Sequence, residues 1–280
     1  YYSGKEENIR HNLKNPSLTF VKADILDYKT LLRTMKGNDV VFHLAAQPGV
    51  RFSMENPEKT TRVNVFGTLT VLKVAKEVNI GKVVFASSSS VYGQPKYMPV
   101  DETHPIEPIS IYGASKLAAE KYCQIFDNQL DLPIVVLRYH TVYGPRQRPD
   151  MAIHKWTEAI FKGEPIKIYG DGKQTRDFTF VSDVVDGTIK SAEAKDINGE
   201  IFNLGGGSRA SVNNIVKLLI ETSGVEDVQI VYESPKLGDV SDTHADITKA
   251  RKILDFNPKV QLKEGLRRFT EWYKKYKLGK

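Results

Sequence analysis

Short apolar runs punctuate the first half of the chain, separated by stretches in which apolar positions recur every three or four residues. Residues 18–23 read as a strand ending in Asp24, and Tyr28–Met35 as the helix that follows. Residues 40–44 are apolar almost throughout, the pattern of a parallel strand covered on both faces. A long helix is predicted over 57–78, and the apolar run 83–85 is a strand that ends in serines. From Tyr112 onward the spacing of Leu117, Ala118, Tyr122 and Ile125 predicts an amphipathic helix, and 133–138 is the next strand. Beyond about Asp150 the elements shorten: a strand at 166–169, a D-G turn ahead of Arg176, and helices at 247–254 and 262–278. The pattern implies an α/β fold with a doubly wound parallel sheet over 1–150. A smaller α/β lobe occupies 151–280, with returns to the main sheet near 179–204.

At 280 residues, with 40% hydrophobic and 26% charged positions, the chain has the composition of an ordinary globular protein with a substantial core. No apolar run approaches the ~18 residues that span a bilayer, and no signal peptide is visible. The single Cys123 excludes an intramolecular disulfide and suits a reducing cytoplasm, so a cytoplasmic location is expected. The net charge of +6 is concentrated partly in the carboxy-terminal tail, which reads as a solvated helix face. Neither nucleic acid nor a membrane is therefore expected as a partner. The six histidines (11, 43, 104, 140, 154, 244) form no pair at metal-ligand spacing, and no metal is predicted.

The candidate chemistry lies between Ala86 and Lys116, in A-S-S-S-S-V-Y-G at 86–93 and I-Y-G-A-S-K at 111–116. The serines stand at the carboxyl end of a buried strand, where open α/β sheets bind ligands. Tyr112 and Lys116 are four apart and share a helical face. A free phenol titrates near pH ~10, and an ammonium one turn away is expected to lower that value. A serine hydroxyl on the adjacent strand can align the same substrate oxygen. This is equipment for removing a proton from an alcohol while hydride leaves the same carbon.

With these motifs the chain resembles the extended short-chain dehydrogenase/reductases, in the nucleotide-sugar epimerase branch typified by UDP-glucose 4-epimerase. The resemblance extends through F-H-L-A-A-Q (42–47), N-V-F-G-T (64–68), R-Y-H-T-V-Y-G-P-R (138–146), T-R-D-F-T-F-V-S-D-V (175–184) and G-D-V (238–240). It implies a Rossmann-like fold, NAD as cofactor and a UDP-sugar as substrate. By the same resemblance Ser88, Tyr112 and Lys116 are the catalytic residues. Cofactor contacts fall to Asp24, Ile25, Leu44, Ala45, Ala46, Gln47, Asn64, Ala86, Ser87, Tyr112, Lys116, Tyr139 and His140. On sequence alone Asp24 serves equally well as a helix cap, and His140 as packing beneath the cofactor. The substrate side comprises Ser88, Ser89, Thr141, Tyr169, Arg176, Lys236 and Asp239, with Arg176 suited to hold a diphosphate bidentately. Thr141 departs from the asparagine usual in glucose epimerases, and Lys236 from the family's arginine. The helices near 57–78 and 112–128 form the homodimer seam in the family, with Val65, Leu69 and Leu72 as candidates here. The family's G-x-x-G-x-x-G turn has no counterpart in 1–150, and the chain opens on what resembles the loop after strand two. A first strand–helix–strand unit of roughly 30 residues is expected to be missing from the sequence.

Ser89 and Ser90 occupy places where sugar-nucleotide dehydratases and decarboxylating relatives carry an acid. Elimination would lack its proton donor, so the expected reaction is epimerisation at C4, with UDP-glucose/UDP-galactose the first expectation. UDP-glucuronate is an alternative, through T-V-Y-G-P-R-Q-R-P-D-M-A at 141–152. UDP-N-acetylglucosamine is another, because Thr243 is small where the family gates N-acetyl groups. A non-catalytic nucleotide- or RNA-binding module on the same fold is the alternative of a different class.

Overall fold

A computed structural model of the protein describes residues 4–207, 209–234 and 242–279. Among the described residues nine strands follow in chain order: β1 (Val40–His43), β2 (Lys82–Ser88), β3 (Ile134–Tyr139), β4 (Thr141–Tyr143), β5 (Ile166–Tyr169), β6 (Thr175–Phe180), β7 (Ile201–Leu204), β8 (Arg209–Ser211) and β9 (Ile230–Glu233). The main sheet runs β1-β2-β3-β7 with every pair parallel. A second sheet, β4-β6-β8, and the parallel pair β5-β9 build the smaller lobe.

The two-residue period of the strands decides how the main sheet is covered. Val83 and Phe85 of β2 and Ile134 and Val136 of β3 face one layer, where they meet Leu72, Ala75, Ala119 and Cys123. Val84, Val135 and Leu137 point the other way, into Phe202, Leu204, Ala250, Leu254 and Phe256. The first layer is supplied by the Ile111–Leu130 helix and by a helical run of three joined segments, Pro57–Thr61, Arg62–Phe66 and Gly67–Glu77. The middle segment is a π turn, a local widening that often accompanies a functional residue, and it carries Asn64. The lobe has its own core, in which Ile153, Trp156 and Ile160 pack with Ile166, Ile168, Phe180, Ile215, Leu219 and Phe269.

Three expectations need correction. Residues 18–23 form no ladder: a strand is held by a hydrogen-bonded neighbour, and this segment has none among the described residues. β1 is not covered on both faces. It is the edge of the sheet among the described residues, and Phe42 is 42% exposed. On the Ile111–Leu130 helix, the buried face is not Leu117, Ala118, Tyr122 and Ile125. It is Gly113, Ser115, Lys116, Ala119, Glu120 and Cys123. Hydrophobic spacing misplaced this face because two of its buried members are charged.

Leu72 is fully buried in the core, so it cannot line a seam between copies; Val65 and Leu69 are only half-buried. Among the described residues, no helix is long and apolar enough to cross a membrane. On the carboxy-terminal helix Leu262–Tyr273, Arg267 pairs with Glu264 and Glu271, and Arg268 with Glu264.

The layered core sets a clear expectation for stability. Leu137→Ala opens a cavity in the centre of the sheet and should cost about 2–5 kcal/mol. Tyr276→Ala, at a side chain 63% exposed, should stay within about 0.5 kcal/mol. Urea denaturation of the two variants measures the difference.

Candidate active site

One face of the Ile111–Leu130 helix lies against the carboxyl end of β2, residue against residue. Lys116 donates from Nζ to the Ala86 carbonyl at 2.7 Å. Glu120, one turn further, accepts from the Ser87 hydroxyl. At the head of the helix the Tyr112 phenol lies close enough to the Ser88 hydroxyl for that hydroxyl to lower its pKa. Positions 112, 116 and 120, spaced by one turn, thus address three successive residues of one strand end.

The local sequence explains why the helix begins there. Ser110 caps it, with its Oγ accepting from the Gly113 N–H at 3.0 Å. The Ser53 hydroxyl accepts from the Tyr112 N–H at 3.0 Å, satisfying a second first-turn donor. Gly113 allows the close approach: a Cβ there would land on the Ser90 carbonyl oxygen. On the strand side, Ser88 caps the short Ser89–Val91 turn by accepting from the Ser90 N–H at 3.2 Å, and its hydroxyl donates to Ser90 Oγ at 3.1 Å.

The electrostatics differ from the expectation in one respect. Burial lifts the Tyr112 phenol above its ordinary pKa, and the groups that pull it back are the Ser88 hydroxyl and the Arg148 guanidinium, not Lys116. Lys116 is 3% exposed and is directed at Ala86, with its ammonium over the Phe85 ring at 5.0 Å. Burial pushes its own pKa down to about 8, against the opposing influence of Cys123 and Glu120. His43, at the end of β1, is pushed down to about 3 by burial and by the charge of Lys116, and is neutral at physiological pH. Its Nε2 donates to Thr68 Oγ at 2.9 Å, since the Thr68 hydroxyl proton is directed to the Asn64 carbonyl at 2.6 Å.

The sequence-derived cofactor residues divide into two groups. Leu44 and Ala45 stand exposed beyond β1, with Ala46 half-buried, giving a low wall of mostly small side chains beside Ala86, Ser87 and Lys116. Asn64 does not face this wall. Its amide oxygen accepts from the Gln47 N–H (2.7 Å), and its NH₂ donates to the Gln47 carbonyl (3.1 Å) and Ser115 Oγ (2.9 Å). Asn64 therefore fixes the 45–47 loop to the head of the helix. Asp24 is not the helix cap, a role taken by Asp27; Asp24 closes a turn by accepting from the Leu26 N–H at 2.9 Å. Ile25 packs at Gly67, where a Cβ would collide with it. The Tyr139 hydroxyl is hydrogen-bonded to Thr188 Oγ at 2.9 Å, and burial pushes its pKa up to about 12. His140 has both ring nitrogens buried without a hydrogen-bond partner, and burial holds its pKa down against the charge of Asp177. An ammonium has three N–H donors and Ala86 takes one, so Lys116 retains donors for a ribose beside the low wall. The residues present fit a nicotinamide dinucleotide.

On the substrate side, Ser89 opens the turn after β2, and Thr141 opens β4, two residues beyond Tyr139. The Tyr169 ring lies under the Arg51 guanidinium at 5.1 Å. Arg176 lies on β6 and donates from Nη1 to the Thr175 carbonyl at 2.9 Å. Its neighbour Asp177 is fully buried and accepts from the Gly206 and Ala245 N–H groups (2.5 and 3.0 Å). The Thr243 hydroxyl accepts from the Asp177 N–H at 3.0 Å. Lys236 and Asp239 lie outside the described residues.

Sequence reasoning missed the supporting residues Ser53, Ser110, Ser115, Glu120, Arg138 and Arg148. Ser110 had a legible signal, a serine directly ahead of a helical pattern. The others act through contacts remote in sequence.

The fold and this constellation define an α/β nucleotide-cofactor enzyme of the short-chain dehydrogenase/reductase type. Residues 2–205 match the model of the NAD dependent epimerase/dehydratase family, and the chain belongs to that family. It is 40% identical over 267 residues to a UDP-glucuronate 4-epimerase of Thermodesulfobacterium geofontis, covering 93% of this chain and 81% of that protein. Among solved structures, the UDP-glucuronic acid 4-epimerase of Bacillus cereus, in complex with UDP-glucuronic acid and NAD, superposes with a TM-score of 0.92. It is 38% identical, over 96% of this chain and 85% of that one. The UDP-glucose 4-epimerase of Thermotoga maritima, with UDP-glucose, gives 0.91 at 36% identity, over 98% and 88%.

Gly113→Ala tests the closeness of helix and strand end. Its Cβ meets the Ser90 backbone, which cannot swing aside as a flexible side chain can. UDP-sugar epimerisation should fall by about 10²-fold, the cost of an ångström-scale displacement.

Proposed function

We propose that this chain inverts C4 of a UDP-hexose through a 4-keto intermediate. What supports this is the Lys116 ammonium held at the end of β2 by the Ala86 carbonyl at 2.7 Å, one helical turn from Tyr112, with the Ser88 hydroxyl near enough to lower the phenol's pKa. When bound, NAD supplies the acceptor and then the donor of the hydride. Tyr112, as phenolate, takes the proton of the 4-hydroxyl, and Ser88 aligns that oxygen by hydrogen bonding. Lys116 holds the nicotinamide ribose with the donors that Ala86 leaves available. The oxidised hexose then turns about its diphosphate linkage and presents its other face, while the nucleotide stays anchored, with Arg176 as a diphosphate ligand. Tyr112 returns the proton to the new 4-oxygen. Residues 86–92 carry no carboxylate, which favours epimerisation over elimination of water.

Within the UDP-hexoses, one observation favours a uronate over the neutral sugar of the first expectation. Arg148 acts on the Tyr112 phenol, so its charge lies near the hexose, and its Nη1 is buried without a hydrogen-bond partner. Its other contacts are Asp150 at 3.3 Å from Nε and the Met151 sulfur at 3.2 Å from Nη2. A guanidinium with an uncommitted donor suits a carboxylate on C5. The 36–40% identical relatives named for UDP-glucuronate and UDP-glucose support the class and leave the sugar to experiment.

Tyr112→Phe should lower kcat by about 10²–10⁴-fold and leave UDP affinity within about twofold by calorimetry; wild-type turnover in that variant would remove the base assignment. A coupled assay on UDP-glucuronate, UDP-glucose and UDP-N-acetylglucosamine addresses the sugar. Arg148→Leu should lower kcat/KM for UDP-glucuronate at least about tenfold more than for UDP-glucose, the worth of one charge-assisted hydrogen bond. Equal losses on both sugars would sink the uronate assignment.

A further inference from the structure

Ser88 and Tyr112 meet at the tips of two separate elements, and side chains of neither residue clamp those elements together. The clamp lies one layer deeper. Glu120 and Arg138 form an ion pair in which both side chains are 1% exposed. Glu120 Oε2 accepts from Arg138 Nη2 at 2.8 Å, and Oε1 accepts from Arg138 Nε at 3.0 Å. The same Oε1 accepts from the hydroxyl of Ser87, the residue joined by a peptide bond to Ser88. Arg138 Nη1 donates to the Tyr92 phenol at 3.0 Å and to the Glu102 carbonyl at 3.3 Å. Tyr92 in turn donates to Asn203 Oδ1 at 2.8 Å, on β7. The guanidinium therefore ties β3, the Ile111–Leu130 helix, the segment after β2 and β7 into one polar unit.

A core in this place could be filled more cheaply. Removing two charges from water costs several kcal/mol per ion, and apolar pairs of similar volume are often neutral or more stable. What an apolar pair cannot do is hold the Ser87 hydroxyl at a defined distance from the helix. We propose, on the strength of the assignment of Ser88 and Tyr112 above, that Glu120, Arg138 and Ser87 are positioning residues that set the separation between the substrate-aligning hydroxyl of Ser88 and the phenol of Tyr112. Glu120 lies two turns from Tyr112 on the same helical face, and Ser87 is adjacent to Ser88 on the strand. The pair fixes both arms of the base from behind.

The test is the double variant Glu120→Leu/Arg138→Met, which removes both charges together and leaves no buried ion unpaired. Thermal stability should be unchanged or raised, while UDP affinity and KM stay within about threefold of wild type. Turnover should fall by about 10–100-fold, as a displacement of an ångström or less demands. Wild-type kcat in the folded double variant overturns the proposal. So does a loss in which KM and UDP affinity worsen in step with stability, the mark of a merely structural role. Should the double variant not fold, Ser87→Ala removes one hydroxyl and leaves the ion pair in place. A fall in kcat of at least about fivefold at unchanged KM then supports positioning, and wild-type kcat overturns it. Tyr112→Phe measured in parallel separates the two levels. If that variant is inactive while the Glu120 and Ser87 variants are fully active, only positioning fails. If it is active, the base assignment has failed first and takes the positioning with it.

Discussion

A helix face laid against the end of a parallel strand is the contact on which the site depends. Parallel strands finish at one edge of the sheet, so the ends of β2 and β3 lie side by side there, with Ser88 in register with Tyr139. The Ile111–Leu130 helix crosses that layer with Tyr112, Lys116 and Glu120 one turn apart, so a rotation of the helix would dislodge all three contacts together. Small residues make the approach possible: Gly113 at the helix head, and the serines on the strand. The charged members of the contact are buried, yet each has a partner. Burial works against Arg138's charge, but hydrogen bonding and attraction from Glu120 outweigh it and hold its pKa above the usual arginine value.

The two parts of the molecule share this contact without sharing a core. β3 ends at Tyr139 in the main sheet, and β4 starts at Thr141 in the lobe's sheet, so a single residue, His140, separates the two sheets. β6, with Arg176, returns directly from the lobe sheet into the Val181–Glu193 helix, whose Thr188 is hydrogen-bonded to Tyr139. The chain therefore passes between the main sheet and the lobe twice, at the Tyr139–Thr141 junction and at the end of β6.

Much of the main sheet was legible because its strands obey a simple rule. β2 and β3 carry apolar side chains on both faces, and a run of that kind has few alternatives. The helices starting near Tyr28 and Pro57 were legible from their period, to within a residue or two. That the helix opening at Tyr112 brings Lys116 to the end of β2 was legible from spacing, because helical and strand geometry convert spacing into proximity. What was illegible has physical causes. Residues 18–23 have strand composition, but a strand exists only with a neighbour, and composition does not report neighbours. The buried face of the central helix was misplaced because Lys116 and Glu120 are charged, and no hydropathy pattern marks a charge whose partner, Arg138, stands 18 residues away. The commitment of the Asn64 amide to Gln47 and Ser115 was illegible too, because those partners stand 17 and 51 residues away.

Lys116 shows how far spacing alone can mislead about electrostatics. One helical turn from a phenol, an ammonium should favour the phenolate, and sequence carries no reason to doubt it. In the folded chain the ammonium is drawn to the Ala86 carbonyl and rests over Phe85, while the groups that lower the phenol's pKa are Ser88 and Arg148. Both groups are buried, and burial acts on them in opposite senses: the phenol's pKa rises, and the ammonium's falls to about 8. Desolvation thus moves the two pKa values apart and disfavours the charged form of each group, which leaves hydrogen bonds and nearby charge to favour the phenolate. A phenol held in that way depends on geometry more than on any one neighbour, because Ser88 lowers its pKa only while it stays within reach. The distance between helix and strand end is therefore the quantity the rest of the structure has to hold constant.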